Sequence, residues 1–151
     1  MAPKGSHTAP TTSEVVVRAL ERFGFEVAFG MPGMWSIPLY EALRESGLRH
    51  VLVRHEEFAS YAADGYARAS GRPGLCVGTA GPGAINIAAG LAAPFRDHSP
   101  VLAVTGQVPT GERGKGWIED MDLQSVFAPV TKSSAEASPG NAYDCIASAY
   151  L

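Results

Sequence analysis

At 151 residues the chain suits one domain, and a domain of that size buries about 70% of the surface that its unfolded chain exposes. With 46% apolar and 18% charged residues it is not globally disordered, and a net charge of −3 with scattered basic residues leaves no nucleic-acid footprint. No apolar stretch reaches the roughly 18 residues of a membrane span, and the N-terminus has no apolar signal-peptide core.

Met1 to Pro10, rich in Pro, Gly, Ser, Thr and Ala, reads as a mobile tail. Thr11 and Glu14 form a capping-box pattern, and Val16, Ala19, Leu20 and Phe23 follow at helical spacing until Gly24 stops the helix. A strand from Glu26 to Phe29 leads into Gly30-Met31-Pro32-Gly33. Pro38 suits the first turn of a second helix, which carries Leu39, Ala42 and Leu43 and ends at Gly47. A second strand spans Arg49 to Val53. A helix follows from Glu56 to Ser70, with Phe58, Ala62 and Tyr66 recurring on one face.

Gly74 to Thr79 reads as the third strand, and Gly81-Pro82-Gly83 opens an Ala-rich helix running to about Ala93. Pro100 to Thr105 reads as a fourth strand, whose run Val101-Leu102-Ala103-Val104 is apolar on both faces, as in a covered parallel sheet. Residues 109–120 are Gly-rich and charged, and the expectation is a mobile loop. A short helix at Leu123–Phe127, a strand near Pro129–Lys132 and a helix from Asn141 onward complete the chain. This alternation predicts an α/β fold, a doubly wound, mainly parallel sheet flanked by helices. The last helix is uncapped at Leu151, so residues 11–151 are expected to form a domain that lacks its final strand.

Ligands of doubly wound sheets bind beyond the carboxyl ends of the strands. Four segments should meet there: Gly30–Gly33, His55-Glu56-Glu57, Thr79–Gly83 and Gly106-Gln107-Val108-Pro109. Gly78–Gly83 fails both the dinucleotide spacing and the phosphate-loop spacing, so this edge is expected to hold a ring. Cys76 and Cys145 form no metal or redox motif; Cys76, inside an apolar run, reads as a buried thiol, and the usage fits a reducing cytoplasm. Arg96-Asp97-His98 resembles a hydrolytic fragment only superficially, since no serine elbow accompanies it.

The strings FGMPG, VRHEEFASYAADGYARASGRPGLCVGTAGPGAIN and SPVLAVTGQVPTGE, in this order and spacing, resemble the N-terminal, pyrimidine-binding domain of the acetolactate synthase and pyruvate oxidase group of thiamine-diphosphate (ThDP) enzymes. The resemblance runs from about Ser13 to the end. It implies that Glu56 hydrogen-bonds N1′ of the cofactor's aminopyrimidine. It also implies that Pro32, Gly33, Thr79, Pro82, Gly83, Asn86 and Gln107 line the pyrimidine and substrate pocket. A carboxyl sharing a proton with N1′ favours the imino tautomer, the base that removes the thiazolium C2 proton. Desolvation favours the neutral acid at such a position, whereas a helix N-terminus favours the carboxylate.

Two departures from the family pattern stand out. Met34-Trp35 follows the first loop, where many synthases have small residues, and Ile118-Glu119-Asp120 stands where they have Phe-Gln-Glu. Met34, Trp35, Trp117 and Glu119 are therefore candidates for reshaping the substrate entrance. No GDG…N motif for Mg²⁺ is present, because the only Asp-Gly is Asp64-Gly65 inside a helix. The chain itself is thus expected to bind no metal. Mg²⁺ and the diphosphate are expected on a second domain, in the same longer protein or on a separate subunit, and the resemblance implies a homo-oligomer. The chain alone is expected to bind ThDP weakly and to turn over no substrate. FAD use, the identity of the 2-oxo acid and the reaction outcome are left open. A subunit of a split decarboxylase, or a truncated non-catalytic dimerisation module, is the alternative reading.

Overall fold

The structure, a computed structural model, describes residues 9–151. Of the N-terminal tail only Ala9 and Pro10, both exposed, fall among them; the rest lies outside the described residues. Helix α1 (Thr12–Arg22) starts where its capping box closes. Thr11 Oγ1 accepts from the Glu14 N–H at 3.3 Å, and the Glu14 carboxylate accepts from the Thr11 N–H at 2.7 Å. It ends at Gly24, whose φ of 79° a side chain would resist.

Four strands follow: β1 (Val27–Gly30), β2 (Arg49–Leu52), β3 (Gly74–Gly78) and β4 (Val101–Thr105). They form one all-parallel sheet in the order β2-β1-β3-β4. The connections carry α2 (Ile37–Arg44), α3 (Glu56–Ser70), α4 (Pro82–Gly90) and α5 (Ala92–Arg96), and α6 (Leu123–Phe127) and α7 (Ala142–Tyr150) complete the chain. Parallel strands need such crossovers, so the alternating pattern fixes the sheet type.

Helices cover both faces. Leu75 and Val77 of β3 point into a cluster with Val16 and Leu20 of α1, Leu39 and Leu43 of α2, and Ile146 of α7. Cys76 points the other way, into Ala59 and Ala63 of α3, Ala84 and Ile87 of α4, and Leu123 and Phe127 of α6. Fully buried Leu20, Leu75 and Ile87 each contribute about 1.5–3 kcal/mol.

Several expectations are corrected. The Ala-rich helix does not run unbroken to Ala93; it divides at Leu91, because Pro94 has no N–H to continue the ladder. On α3 the stripe of Phe58, Ala62 and Tyr66 is not the core face. Ala59, Ser60, Ala63 and Ala67 are buried there, while Phe58 is 56% exposed. Small residues let α3 and α4 approach closely: Ser60 Oγ donates to the Ile87 carbonyl at 2.9 Å, and Gly90 lies directly against Ser60.

Ala128–Val130 is a 3₁₀ turn, where a strand was expected near Pro129–Lys132. β4 is half-buried along its length, where burial on both faces was expected, because among the described residues only β3 pairs with it. A groove of about 1340 Å³ opens beside it, lined among others by Leu102, Val104, Val130 and Tyr150. The expected mobile loop at 109–120 is tied down. Arg113 forks onto Glu136 at 2.6 and 2.7 Å, Gly114 N–H donates to Asp120 at 2.6 Å, and Trp117 Nε1 donates to Glu112 at 2.9 Å.

Candidate functional site

The strand order reverses between β1 and β3: β2 lies on one side of β1, and β3 and β4 lie on the other. Loops leaving β1 and β3 therefore part in opposite directions, which opens a crevice beyond their carboxyl ends. Gly30 allows the close approach that this requires, since a Cβ there would lie 2.2 Å from the Val77 carbonyl oxygen.

The two loops are bolted together at Thr79. The Trp35 N–H donates to Thr79 Oγ1 at 3.3 Å. A Cβ on Gly33 would lie 2.6 Å from Thr79 Cβ, and one on Gly83 would lie 2.8 Å from Thr79 Cγ2. Ser36, fully buried, fastens the β1 loop by accepting from the Gly33 N–H at 3.0 Å.

Glu56 enters the crevice from the first turn of α3. His55 caps that helix, its Nδ1 accepting from the Glu57 N–H at 3.3 Å, which gives His55 a structural role. Glu57 points away and accepts from the Tyr61 hydroxyl at 2.5 Å. Glu56 is only 7% exposed. Its Oε2 accepts from Asn86 Nδ2 of α4 at 3.0 Å, and its Oε1 lies beside Gly83, where a Cβ would come within 3.1 Å. Among the described residues no donor reaches Oε1. Burial, together with the nearby Glu56 carboxylate, pushes the Tyr40 phenol well above its ordinary range.

Of the residues expected at the site, Gly33, Glu56, Thr79, Gly83 and Asn86 form one contiguous cluster. Pro32 and Pro82 are exposed, and Pro82 is the first residue of α4. Gln107 is occupied by its own loop, with Nε2 donating to the Met121 carbonyl at 3.0 Å and Oε1 accepting from the Val108 N–H at 2.8 Å. Sequence reasoning missed Ser36 and Tyr40, and only the proximity of Pro38 marked that turn. Among the described residues no group of three or more His, Cys, Asp or Glu side chains is placed to hold a metal ion, and no helix is long and apolar enough to cross a membrane.

Comparison with known proteins bears directly on this crevice. Residues 10–126 match the family described as thiamine pyrophosphate enzyme, N-terminal TPP binding domain. The chain belongs to that family. Its similar relatives include a probable acetolactate synthase large subunit of Methanocaldococcus jannaschii, 48% identical over 120 residues, which are 80% of this chain and 20% of the relative. A probable 2-ketoarginine decarboxylase of Pseudomonas aeruginosa is 41% identical over 144 residues, 93% of this chain and 26% of the relative. An acetolactate synthase of Mycobacterium bovis is 46% identical over 123 residues, 81% of this chain and 20% of the relative. The chain thus spans a fifth to a quarter of the length of these relatives. As a thiamine pyrophosphate enzyme domain it carries the α/β fold and parallel sheet expected of that family.

Proposed function

We propose that this chain is the pyrimidine-binding part of a ThDP-dependent 2-oxo-acid decarboxylase or carboligase, and that Glu56 activates the cofactor. The observation that carries this reading is the state of the Glu56 carboxyl: buried, one oxygen held by Asn86 and the other without a donor. When bound, ThDP supplies a carbon acid whose conjugate base adds to a 2-oxo carbon and takes up the electrons released on decarboxylation.

The chain's own residues do the rest. Glu56 Oε1 shares a proton with N1′ of the aminopyrimidine, and the Asn86 amide keeps Oε2 from competing for it. Gly83 and Gly33 bring backbone close to the flat ring, and Thr79 fixes the spacing between them. Pro32 and Pro82 form the outer rim. Gln107 acts mainly through the loop that it holds against the crevice.

The site is closed by a second domain, which also supplies the Mg²⁺ and diphosphate contacts. An apolar rim supports this: Met34, Ile37, Leu52, Phe58, Ile85 and Ile118 are 40–68% exposed. The free β4 edge and its groove suit a further strand that completes the sheet. A homo-oligomer in the cytoplasm fits the same reading, with the chain inactive alone. The relatives' names point to 2-oxo acids as substrates. In the assembled enzyme, Glu56→Gln should lower kcat by about 100-fold or more with the fold retained. A Gln variant with wild-type kcat would overturn the assignment.

A further inference from the structure

We infer that Glu119 is a specificity-determining carboxylate of the crevice, taking a guanidinium or ammonium group at the far end of the substrate. The inference rests on reading the crevice as the reaction site. Glu119 lies on the tied-down loop after β4, and its Cα, Cβ and Cγ cover Gly81, where an added Cβ would meet them at 2.7–2.9 Å. Gly81 is two residues from both Thr79 and Gly83, and Gly83 lies against Glu56 Oε1. Glu119 therefore stands over the same turn that positions the cofactor carboxyl.

Its Oε2 is shielded from solvent and has no hydrogen-bond partner among the described residues. A carboxylate oxygen denied water needs donors, and charged donors are the strong ones. The loop's own charges do not supply them. Arg113 is forked onto Glu136, and Lys115 reaches Glu112 at 3.4 Å. Asp120, the next carboxylate, is taken by the Gly114 N–H. Glu119 also holds a φ of 70°, a region that non-glycine residues seldom occupy, so the loop presents this side chain against local preference.

A second shielded atom without a partner belongs to a ring that packs on Trp117, two residues before Glu119. It is Nε1 of Trp35, whose backbone N–H bonds Thr79 and whose ring meets Trp117 edge-on at 5.9 Å. An unpaired donor and an unpaired acceptor suit a zwitterionic ligand, with its carboxylate toward Trp35 and its cation toward Glu119. A small neutral-tailed 2-oxo acid would leave Glu119 Oε2 unmatched.

The chain has two tryptophans: Trp35 carries the unpartnered Nε1, and Trp117 packs on it two residues before Glu119. Their fluorescence should be titrated with 5-guanidinopentanoate and with hexanoate, which has the same carboxylate but a neutral tail, in the absence of ThDP. The expected result is a saturable change with the guanidino acid, at least tenfold weaker binding of hexanoate, and at least tenfold weaker guanidino binding in Glu119→Gln. Glu119→Gly, which removes the carboxylate and suits the positive φ, should match the Gln variant. Equal affinity for the two acids, unchanged affinity in the variants, or no saturable response would overturn the inference. Because no ThDP is present, these outcomes do not depend on Glu56, whose role is tested separately by cofactor activation.

Discussion

Asn86 Nδ2 lies 3.0 Å from Glu56 Oε2 and joins α4 to the first turn of α3 across 30 positions of sequence. Removing the amide leaves a buried carboxylate oxygen without its donor. Asn86→Ala should therefore destabilise the chain by about 1–3 kcal/mol. Asn86→Asp, which sets a second carboxylate against the first, should destabilise it more. Urea unfolding of the two variants checks both the size and the order.

Two glycines predict opposite responses to the same added methyl. At Gly30 a Cβ would lie 2.2 Å from the Val77 carbonyl oxygen, so Gly30→Ala must force β1 and β3 apart. A loss of about 1–3 kcal/mol is expected. At Gly65, inside α3, nothing lies within 4 Å of the added Cβ. Gly65→Ala should stabilise the chain by about 0.5–1 kcal/mol, the usual helix preference. Thermal unfolding of the pair separates close approach from simple backbone freedom.

Much of this architecture is readable in the sequence because it follows local rules. The capping box at Thr11 and Glu14, the Gly24 stop and the alternation of strands with helices depend on neighbours close in the chain. Glu56 and the Gly-Pro loops are readable through the family motifs. The Asn86 bond to Glu56 is not, since no local pattern predicts a contact between two helices. The recurrence of Phe58, Ala62 and Tyr66 at helical spacing does not mark the buried face of α3. Close packing against α4 instead selects Ala59, Ser60 and Ala63. Residues near Pro129 have strand-like composition but no pairing partner, and they form a 3₁₀ turn. The positive φ of Glu119 belongs to the loop's tertiary bonds and leaves no trace in residue type.

The two cysteines should differ sharply in reactivity. Cys76 is fully buried, and burial pushes its thiol up to about 12, with the Ser60 hydroxyl acting weakly in the other direction. Cys145 is partly exposed. At pH 8 a thiol-specific disulfide reagent should titrate one group quickly in the native chain and the second only on unfolding. Two fast thiols would contradict the packing of β3.

His50 predicts a pH dependence. Its ring meets Tyr40 edge-on at 5.0 Å, and partial burial lowers its pKa, opposed by a backbone bond involving Gly30. The unfolded chain therefore takes up this proton first as pH falls. The His50 contribution to stability is full above about pH 6.5 and is lost as pH drops below it. His50→Gln should show a shallower fall in unfolding midpoint between about pH 7 and pH 5 than the wild type. Parallel profiles would show that His50 does not contribute to the pH dependence.

The proposed activation of the cofactor by Glu56 acts from a buried, Asn86-held position. It is tested most directly by the hydrogen–deuterium exchange rate at C2 of bound ThDP, in the enzyme assembled with its diphosphate-binding partner domain. Glu56→Gln keeps the shape and the Asn86 contact but cannot share a proton with N1′. Exchange in that variant should slow by about 100-fold or more with ThDP still bound; exchange at the wild-type rate would rule out activation by Glu56.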